Sequence, residues 1–298
     1  MGKDTGISWT DHTFNPFWGC IQVSPACGLP LPGQEDEPHG SCYALEWDAR
    51  FPILGQTHWG KEAPRRFFGD KHWDQLFTWN RAAGRASVQR NVFVGSMCDI
   101  MEDHRSLKHA ESSQGIVAAR ARLYKIIPET PHLNYLMLTK RPQNYRTFLP
   151  PDWLEHQQPN VWLGATVETP DYIWRADELR KLNCAVRWLS MEPLLAMFTV
   201  AELMIVLHHI DWAIFGGESG ANARRTMMAW IQSGMAVAKK TGTVPFMKQT
   251  GGNLSDADLL YFAKNSGVSM QHKAGADPAE WPPEFRVQQF PTPRRFPA

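Results

Sequence analysis

The sequence lacks a long apolar run, a strong charge of one sign and a rich supply of cysteine, and each absence narrows the class of protein. No stretch approaches about 18 consecutive apolar residues, so no transmembrane helix is predicted. Residues 1–17 lack the apolar core of a signal peptide, and a reducing, cytoplasmic location is therefore the expectation. Lys and Arg number 31 against 30 Asp and Glu, which argues against a protein that coats nucleic acid through bulk charge.

Three of the five cysteines, Cys20, Cys27 and Cys42, lie close to the N-terminus. Six residues separate the first two and fourteen separate the last two. A disulfide framework is not expected in a reducing compartment, whereas thiolates are soft ligands that select zinc or iron–sulfur clusters. Four Cys would saturate a cluster or close a structural zinc site, but three leave one coordination position open, as catalysis requires.

Other interpretations of the cysteines stay open. The three thiols could be inert packing, or they could hold zinc with His12 or His39 as the fourth ligand. Of the other two cysteines, Cys184 precedes a predicted strand and is expected in the core. Cys98 lies beside Asp99 at the end of another predicted strand, so it is a weaker candidate for the site.

Short apolar runs rich in β-formers alternate with stretches that suit helices. Strands are predicted at residues 6–10, 91–96, 133–139, 161–166, 186–191, 212–216 and 244–248. Helices are predicted at 114–127, 170–181, 200–208 and 225–240. Because each strand is apolar on both faces and helices intervene, the pattern indicates βαβ units and a parallel sheet.

Polar and charged residues follow nearly every predicted strand. The strands end in SMCD (96–99), LTKRP (138–142), GATVE (164–168), SMEP (190–193), GGESG (216–220) and MKQTGG (247–252). In a barrel these ends meet at one mouth, whereas an open doubly wound sheet would not use all six together. We therefore predict an α/β fold, a parallel (β/α) barrel of six or seven strands that is partly open.

The barrel is expected to be a single domain over residues 1–271. Residues 44–90 fall outside the βα rhythm, carry one weak helix near 70–80, and look like a lid-like insertion. Residues 272–298 are too rich in proline for regular structure and are expected to form an irregular tail that wraps over the barrel. Most of the thirteen Trp residues are expected to pack rather than to stack on a substrate.

The segment ISWTDHTFNPFWGCIQVSPAC followed by CYA resembles the signature of the three-cysteine-motif phage proteins, a family catalogued as a domain of unknown function. Further blocks match in order: FVGSMCDIMED, LMLTKRPQNY, WLGATVE, RWLSMEPLL, AIFGGESGANARRT and PFMKQTGG. The family is similar to the radical S-adenosylmethionine (SAM) enzymes. This chain departs from their usual C-x3-C-x2-C spacing, and residues 28–41 look inserted.

The resemblance implies a cofactor set and partners. Cys20, Cys27 and Cys42 would hold a [4Fe-4S] cluster, and SAM would bind its open iron and be cleaved to a 5′-deoxyadenosyl radical. An electron donor such as flavodoxin or ferredoxin would be needed. If the chain is phage-encoded, the host cytoplasm would be its location. The substrate implied is a nucleotide, a nucleic acid or another anionic small molecule.

The strand ends supply candidate site residues. A Gly-Gly-Glu-like segment after the second barrel strand contacts the SAM amino group in radical-SAM enzymes. The resemblance implies that Ser96 and Asp99, at the end of the second predicted strand, are the candidates for this contact. The residues expected to bind cofactor are Ser96, Asp99, Glu168, Glu192, Gly216 and Gly217. Those expected to act in catalysis or grip an anionic group are Lys140, Arg141 and Glu218. The alternative is a ring of salt bridges at the barrel rim, with Glu218 as a helix cap.

The sequence leaves three functions open. The first is a radical-SAM-like enzyme. The second is a zinc-containing barrel, structural or hydrolytic. The third is a nucleic-acid-binding module that uses Trp and Arg of residues 44–90 and carries only a structural cluster.

Overall fold

In a computed structural model, which describes residues 5–35, 40, 42–50, 57–156, 158–220 and 222–294, strands and helices alternate along the chain. The strands are β1 (His12–Phe14), β2 (Phe17–Trp18), β3 (Arg66–Phe67), β4 (Arg90–Val94), β5 (Leu133–Thr139), β6 (Val161–Thr166), β7 (Val186–Met191), β8 (Trp212–Gly216) and β9 (Val244–Gln249). The α-helices are α1 (Tyr43–Arg50), α2 (Asp70–Arg85), α3 (Ala110–Glu129), α4 (Tyr145–Phe148), α5 (Pro151–Glu155), α6 (Trp174–Arg180), α7 (Val200–Leu207), α8 (Met228–Thr241) and α9 (Asp256–Ser266).

Seven strands form one sheet in the order β1-β4-β5-β6-β7-β8-β9, and every neighbouring pair runs parallel. The order follows the chain, so each connection returns to the adjacent position in the sheet. Within the described ranges the outer strands β1 and β9 do not pair with each other, and the barrel is open. The predicted class, a partly open parallel (β/α) barrel, is therefore confirmed with seven strands.

Side chains from strands that lie far apart in the sheet order meet in its interior, which shows that the sheet is curled. The ring of Trp9, which precedes β1, lies 5.4 Å from that of Trp188 on β7 and 6.2 Å from that of Trp212 on β8. Strands four positions apart in a flat sheet would be separated by about 19 Å. The curl therefore creates an interior that Trp162 and Phe246 also fill.

The outer face of the sheet carries the main core. On β5, for example, Leu133, Tyr135 and Met137 pack outward in this core, whereas Leu136 points into the barrel interior. Helix residues such as Leu123 of α3 bury their apolar face in the same outer core. Because both faces are buried, the strands are almost continuously apolar.

Local capping signals fix several helix ends. At the start of α7 the Glu202 N–H donates to the Thr199 hydroxyl at 3.2 Å, and the Thr199 N–H donates to the Glu202 carboxylate at 2.7 Å. Helix α8 ends at Gly242, whose φ of +78° suits a residue without a Cβ. The Ser255 hydroxyl accepts the Asp258 N–H at 3.0 Å and starts α9.

Most predicted elements coincide with observed ones. The strands predicted at 133–139, 161–166, 186–191 and 212–216 are β5 to β8, and those at 91–96 and 244–248 overlap β4 and β9. The strand predicted at 6–10 is wrong. This segment turns, with the Thr10 N–H donating to the Ile7 carbonyl at 3.2 Å, and the first strand begins at His12. Trp9 gave the segment its strand-like pattern, but its ring belongs to the barrel interior.

Residues 44–90 contain most of α1, strand β3 and α2; residues 51–56 lie outside the described part of the chain. Strand β3 pairs antiparallel with β2. The helix predicted near 70–80 extends to Arg85, and Trp73 and Trp79 are buried in the main core. Trp59 is also buried, whereas Trp47 is 47% exposed. Most tryptophans of this segment therefore pack, and its role as a lid stays a prediction.

The C-terminal segment packs beside β9. Trp281 and Phe285 are buried in the main core, and the Met247 N–H donates to the Val287 carbonyl at 2.7 Å. Residues 295–298 lie outside the described ranges, and a boundary at residue 271 stays a prediction. None of the helices described in the structure is long and apolar enough to cross a membrane.

Candidate active site at the carboxyl ends of the strands

A cavity of about 400 Å³ lies at the carboxyl ends of the parallel strands. Ten of the twelve predicted site residues line it: Cys20, Cys27, Cys42, Ser96, Asp99, Lys140, Arg141, Glu192, Gly217 and Glu218. Glu168 and Gly216 are not part of its wall. The parallel topology brings these residues together, because the ends of all the strands face one side of the curled sheet.

Backbone turns place the first two cysteines in a segment that we call the cysteine loop (residues 19–29). At its start the Gly19 N–H donates to the Met97 carbonyl at 3.0 Å, and Gly19 has a φ of +106°. A Cβ at this position would lie 2.1 Å from the His58 carbonyl oxygen, so only glycine fits. A single 3-10 turn, Pro25–Cys27, then ends at Gly28, whose φ is +84°.

The thiols of Cys20 and Cys42 lie in a poorly solvated environment. Burial raises the pKa of Cys20 although the Arg141 guanidinium lowers it, and burial also raises the pKa of Cys42. A negative charge on Cys27 further raises the pKa of both groups, so Cys27 lies within electrostatic reach of each. The two thiols are therefore protonated at neutral pH without metal, and a bound metal would have to displace their protons.

Four buried arginine–carboxylate pairs surround the cysteine loop: Arg65–Glu102, Arg141–Asp99, Arg175–Glu168 and Arg224–Glu218. In each pair both side chains are at most 11% exposed. A member of each pair also hydrogen-bonds to the backbone of the loop. Such pairs lose much solvation on burial, and hydrogen bonds to further groups are what offset that loss.

Two of the pairs converge on Cys20. The Ile21 N–H donates to Glu102 at 2.7 Å, and the Ile21 carbonyl accepts from Arg141 at 2.6 Å. Arg141 also places its Nη1 3.6 Å from the Cys20 sulfur. Both backbone groups of Ile21 are therefore hydrogen-bonded, which fixes the position of Cys20.

The other two pairs converge on the turn that carries Cys27. The Ala26 N–H points to the Glu168 carboxylate at 3.5 Å. The Arg224 guanidinium donates to the Pro25 carbonyl at 2.8 Å and to the Leu29 carbonyl at 3.3 Å. Cys27 therefore sits between backbone groups that are bound to residues following β6 and β8.

Asp99 is the most heavily hydrogen-bonded of the predicted ligand-binding residues. Its carboxylate accepts from the Thr139 hydroxyl at 2.6 Å, from Arg141 at 2.7 Å, and from the Met101 and Lys140 N–H groups at 2.9 and 3.2 Å. Burial alone would raise the pKa of Asp99, but Arg141 and Thr139 hold it below its ordinary value. These bonds position Arg141, and a contact between Asp99 and a ligand stays a prediction.

Lys140 differs from the other cations in and around the cavity. Arg141, Arg224 and Lys248 each contact a carboxylate, whereas the Lys140 ammonium has no ion pair in the part of the chain that the structure describes. Burial alone would lower the pKa of Lys140, but Cys27, Glu168 and Cys42 raise it above its ordinary value. Lys140 is therefore positively charged at neutral pH and lies within electrostatic reach of Cys27 and Cys42.

The remaining predicted residues are bound to their neighbours. The Ser96 hydroxyl accepts from the Asn15 amide at 2.9 Å, and Glu192 pairs with Lys248. A Cβ on Gly217 would lie 2.2 Å from the Thr250 carbonyl oxygen, so this glycine allows two backbone segments to approach. The sequence predicts that Gly216 and Gly217 allow a cofactor to approach the backbone, and these contacts stay predictions.

Sequence reasoning missed Arg65, Glu102 and Arg175 as members of the site. Glu102 follows the β4 end motif by three residues, and its position in the block FVGSMCDIMED was the available signal. Arg65 and Arg175 come from a loop before β3 and from helix α6, and no local pattern marks them. Their role depends on which surfaces meet after folding.

No three His, Cys, Asp or Glu side chains of the described residues are grouped as a single metal ion would need. His12, one candidate fourth ligand for zinc, stacks its ring 4.3 Å from that of Trp79 on α2. His39, the other candidate, lies outside the described residues. Zinc would require its thiolates about 2.3 Å from one centre, and the described thiols do not form such a group.

A family model described as "Protein of unknown function (DUF5131)" matches residues 4–279, and the chain belongs to that family. No curated protein matches it. Among solved structures, that of a spore photoproduct lyase mutant matches with 12% identity and a TM-score of 0.44. The match covers 74% of this chain and 60% of that chain, so this protein spans less than two thirds of the matched structure.

Proposed function

We propose that this chain is an iron–sulfur enzyme of the radical-SAM type, in which Cys20, Cys27 and Cys42 hold a [4Fe-4S] cluster and SAM binds at the open iron. The observation that carries the proposal is the position of the three thiols. They line one cavity at the carboxyl ends of a parallel, partly open barrel. Parallel α/β barrels place their chemistry at this end.

The donor set fits a cluster better than a single ion. Thiolates are the usual ligands of iron–sulfur clusters, and each thiolate binds a separate iron. Three thiols spread over one cavity wall are therefore compatible with a cluster, although they do not form a single-ion site among the described residues. When bound, such a cluster supplies the electron that cleaves the sulfonium of SAM reductively.

Arg141 would act on the thiolate of Cys20. Its Nη1 lies 3.6 Å from the sulfur and its other amino group is fixed by the Ile21 carbonyl. A hydrogen bond and a positive charge next to a ligand sulfur favour the thiolate and raise the reduction potential of a cluster. Asp99 would serve this function by holding the guanidinium at 2.7 Å.

Lys140 is the residue that we expect to bind an anionic group of SAM or of the substrate. It lines the cavity and has no carboxylate partner in the described ranges. A lysine ammonium is a compact point charge that recognises a carboxylate or a phosphate without the geometry that arginine imposes. This property supports an anionic substrate, and a nucleotide or nucleic acid is one such class.

The proposed chemistry needs an electron from outside the chain, and flavodoxin or ferredoxin is the expected class of donor. The nucleic-acid module with a structural cluster receives less support, because Trp59, Trp73 and Trp79 are buried. We place the protein in the cytoplasm, where thiols stay reduced.

Anaerobic purification followed by assays for iron, sulfide and zinc tests the proposal. About four irons and four sulfides per chain are expected, with a brown colour and absorption near 400 nm. Dithionite should then produce an electron-spin signal that SAM alters, and 5′-deoxyadenosine should be released. Cys98→Ala is the matched control, because Cys98 lines the same cavity and is not a proposed ligand.

Each outcome separates the competing functions. Loss of iron in Cys20→Ala, Cys27→Ala and Cys42→Ala, with full iron in Cys98→Ala, would identify the three ligands. A colourless protein with one zinc per chain would refute the cluster. A cluster that SAM does not perturb would refute the radical-SAM function while leaving the metal site.

A further inference from the structure

We propose that the Glu218–Arg224 ion pair is the positioning unit that brings Cys27 and Cys42 to one cavity wall before any metal binds. The inference rests on the proposed function only in treating these cysteines as ligands of one group. Neither residue is then required to touch substrate. Both would act through the cysteine loop and the chain segment that leads to Cys42.

The spacing of the cysteines creates the need for such a unit. Fourteen residues separate Cys27 from Cys42, and a segment of this length closes only at a cost in conformational entropy. A metal could supply the closing energy, as it does in small domains that are unfolded without metal. A built-in contact that holds both ends of the segment would remove that dependence.

Arg224 holds the first end of the segment. Its guanidinium donates to the Pro25 carbonyl at 2.8 Å and to the Leu29 carbonyl at 3.3 Å, on either side of Cys27. The same guanidinium donates to both oxygens of Glu218, at 2.6 and 2.9 Å. A planar fork with several fixed donors can bind a carboxylate and two carbonyls together, whereas a lysine cannot.

The Glu218 carboxylate lies against the second end of the segment. A Cβ on Gly40 would lie 2.2 Å from one oxygen of the Glu218 carboxylate and 2.4 Å from the other. The backbone two residues before Cys42 therefore lies directly against this carboxylate, and a side chain at position 40 would displace it. The ion pair thus contacts the chain on the N-terminal and the C-terminal side of the separating segment.

The anchor of the pair is rigid. Glu218 follows β8, which is bonded on both sides, to β7 and to β9. The Arg224 backbone N–H also donates to the Glu218 carboxylate, at 2.8 Å. The two side chains are only 6% and 11% exposed, so water competes little for their hydrogen bonds.

A second pair provides a comparison within the same protein. Glu102, which Arg65 holds, accepts from the loop at the Ile21 N–H, beside Cys20. Weakening this pair should therefore free Cys20, whereas weakening the Glu218–Arg224 pair should free the other two thiols. General destabilisation would instead expose all three thiols together.

The test is alkylation of the metal-free full chain, with the rate at each cysteine measured by mass spectrometry. In Arg224→Lys and Glu218→Gln we expect Cys27 and Cys42 to react at least about tenfold faster. The Pro25 and Leu29 carbonyls lose or change their charged donor, and the side chain against Gly40 is no longer held by a bidentate ion pair. Cys20 should change less than about threefold. Glu102→Gln should give the opposite pattern, and Arg90→Lys, in an exposed pair with Asp11, should change none of the three.

Equal acceleration of all three thiols, or no acceleration of Cys27 and Cys42, would overturn the inference. If Glu218→Gln does not fold, the double variant Glu218→Leu/Arg224→Met removes both buried charges and permits the same measurement. Iron in the wild type decides the proposed function independently. If the protein contains no iron but the two pairs protect different cysteines as predicted, the positioning unit is supported and the proposed function is refuted. If the protein contains iron but the alkylation rates do not differ in this way, the proposed function stands and the positioning unit is refuted.

Discussion

Replacing Arg65 with methionine should lower the unfolding free energy by about 3–5 kcal/mol. Arg65 and Glu102 are both fully buried, and Arg65 donates to the two carboxylate oxygens at 2.9 and 3.0 Å. It also donates to the carbonyls of His58, Gly60 and Ala63. The variant would leave a buried carboxylate with the Ile21 N–H as its remaining described donor.

Thermal unfolding of the metal-free protein measures this loss. For 298 residues the unfolding entropy is about 0.6 kcal/mol per degree, so a loss of about 4 kcal/mol lowers Tm by about 6 °C. Arg90→Met is the control, because its pair with Asp11 is exposed and should contribute at most about 1 kcal/mol. A double variant Arg65→Met/Glu102→Leu should recover part of the loss. If Arg65→Met is no less stable than Arg90→Met, the Arg65–Glu102 pair does not stabilise the cysteine loop.

The remaining predictions concern the cavity, the barrel interior and the pH dependence of stability. Lys140→Gln should weaken SAM binding to the reconstituted protein about tenfold, measured by equilibrium dialysis, with unchanged iron content; equal affinity would refute a contact between Lys140 and SAM. Gly164→Ala should cost about 1–3 kcal/mol in denaturant unfolding, because the added Cβ would lie 2.3 Å from the Trp188 ring, whereas Gly69→Ala has open space and should change little. Burial lowers the pKa of His72 below 6.5, so the unfolded chain binds the proton more readily. Wild-type stability should therefore be complete above pH 6.5 and fall as pH drops below it, and His72→Gln should flatten this slope in unfolding titrations.

The sheet could be predicted closely because its strands carry their own signal. Strands β5 to β8 are buried on both faces, so each appears in the sequence as an apolar run with helical stretches on either side. The first strand could not be placed in the same way. The apolar residue Trp9 resembles part of a strand in the sequence, but it lies ahead of β1 and fills the barrel interior. Its environment depends on the curl of the whole sheet.

The site was predictable to the extent that topology alone determines it. Asp99, Glu192 and Glu218 follow three different strands, and a parallel barrel brings such positions to one mouth whatever their side chains bind. What each carboxylate contacts was not predictable. Arg175 reaches Glu168 from helix α6, and only the packing of that helix against the sheet decides the pairing.

The observed bonds distinguish the arginines in and around the cavity from Lys140. The arginines are paired with carboxylates and bind backbone carbonyls of the cysteine loop, as at Arg141 and Arg224. Lys140 lines the cavity and has no such pair in the described ranges, whereas Lys248, a second lysine of the cavity wall, is paired with Glu192. The planar guanidinium of arginine suits partners at fixed positions, whereas the flexible lysine ammonium suits a ligand that must enter and leave. We therefore expect Lys140 to recognise the ligand by charge, and substitutions of the arginines to disturb the thiols before they disturb the ligand.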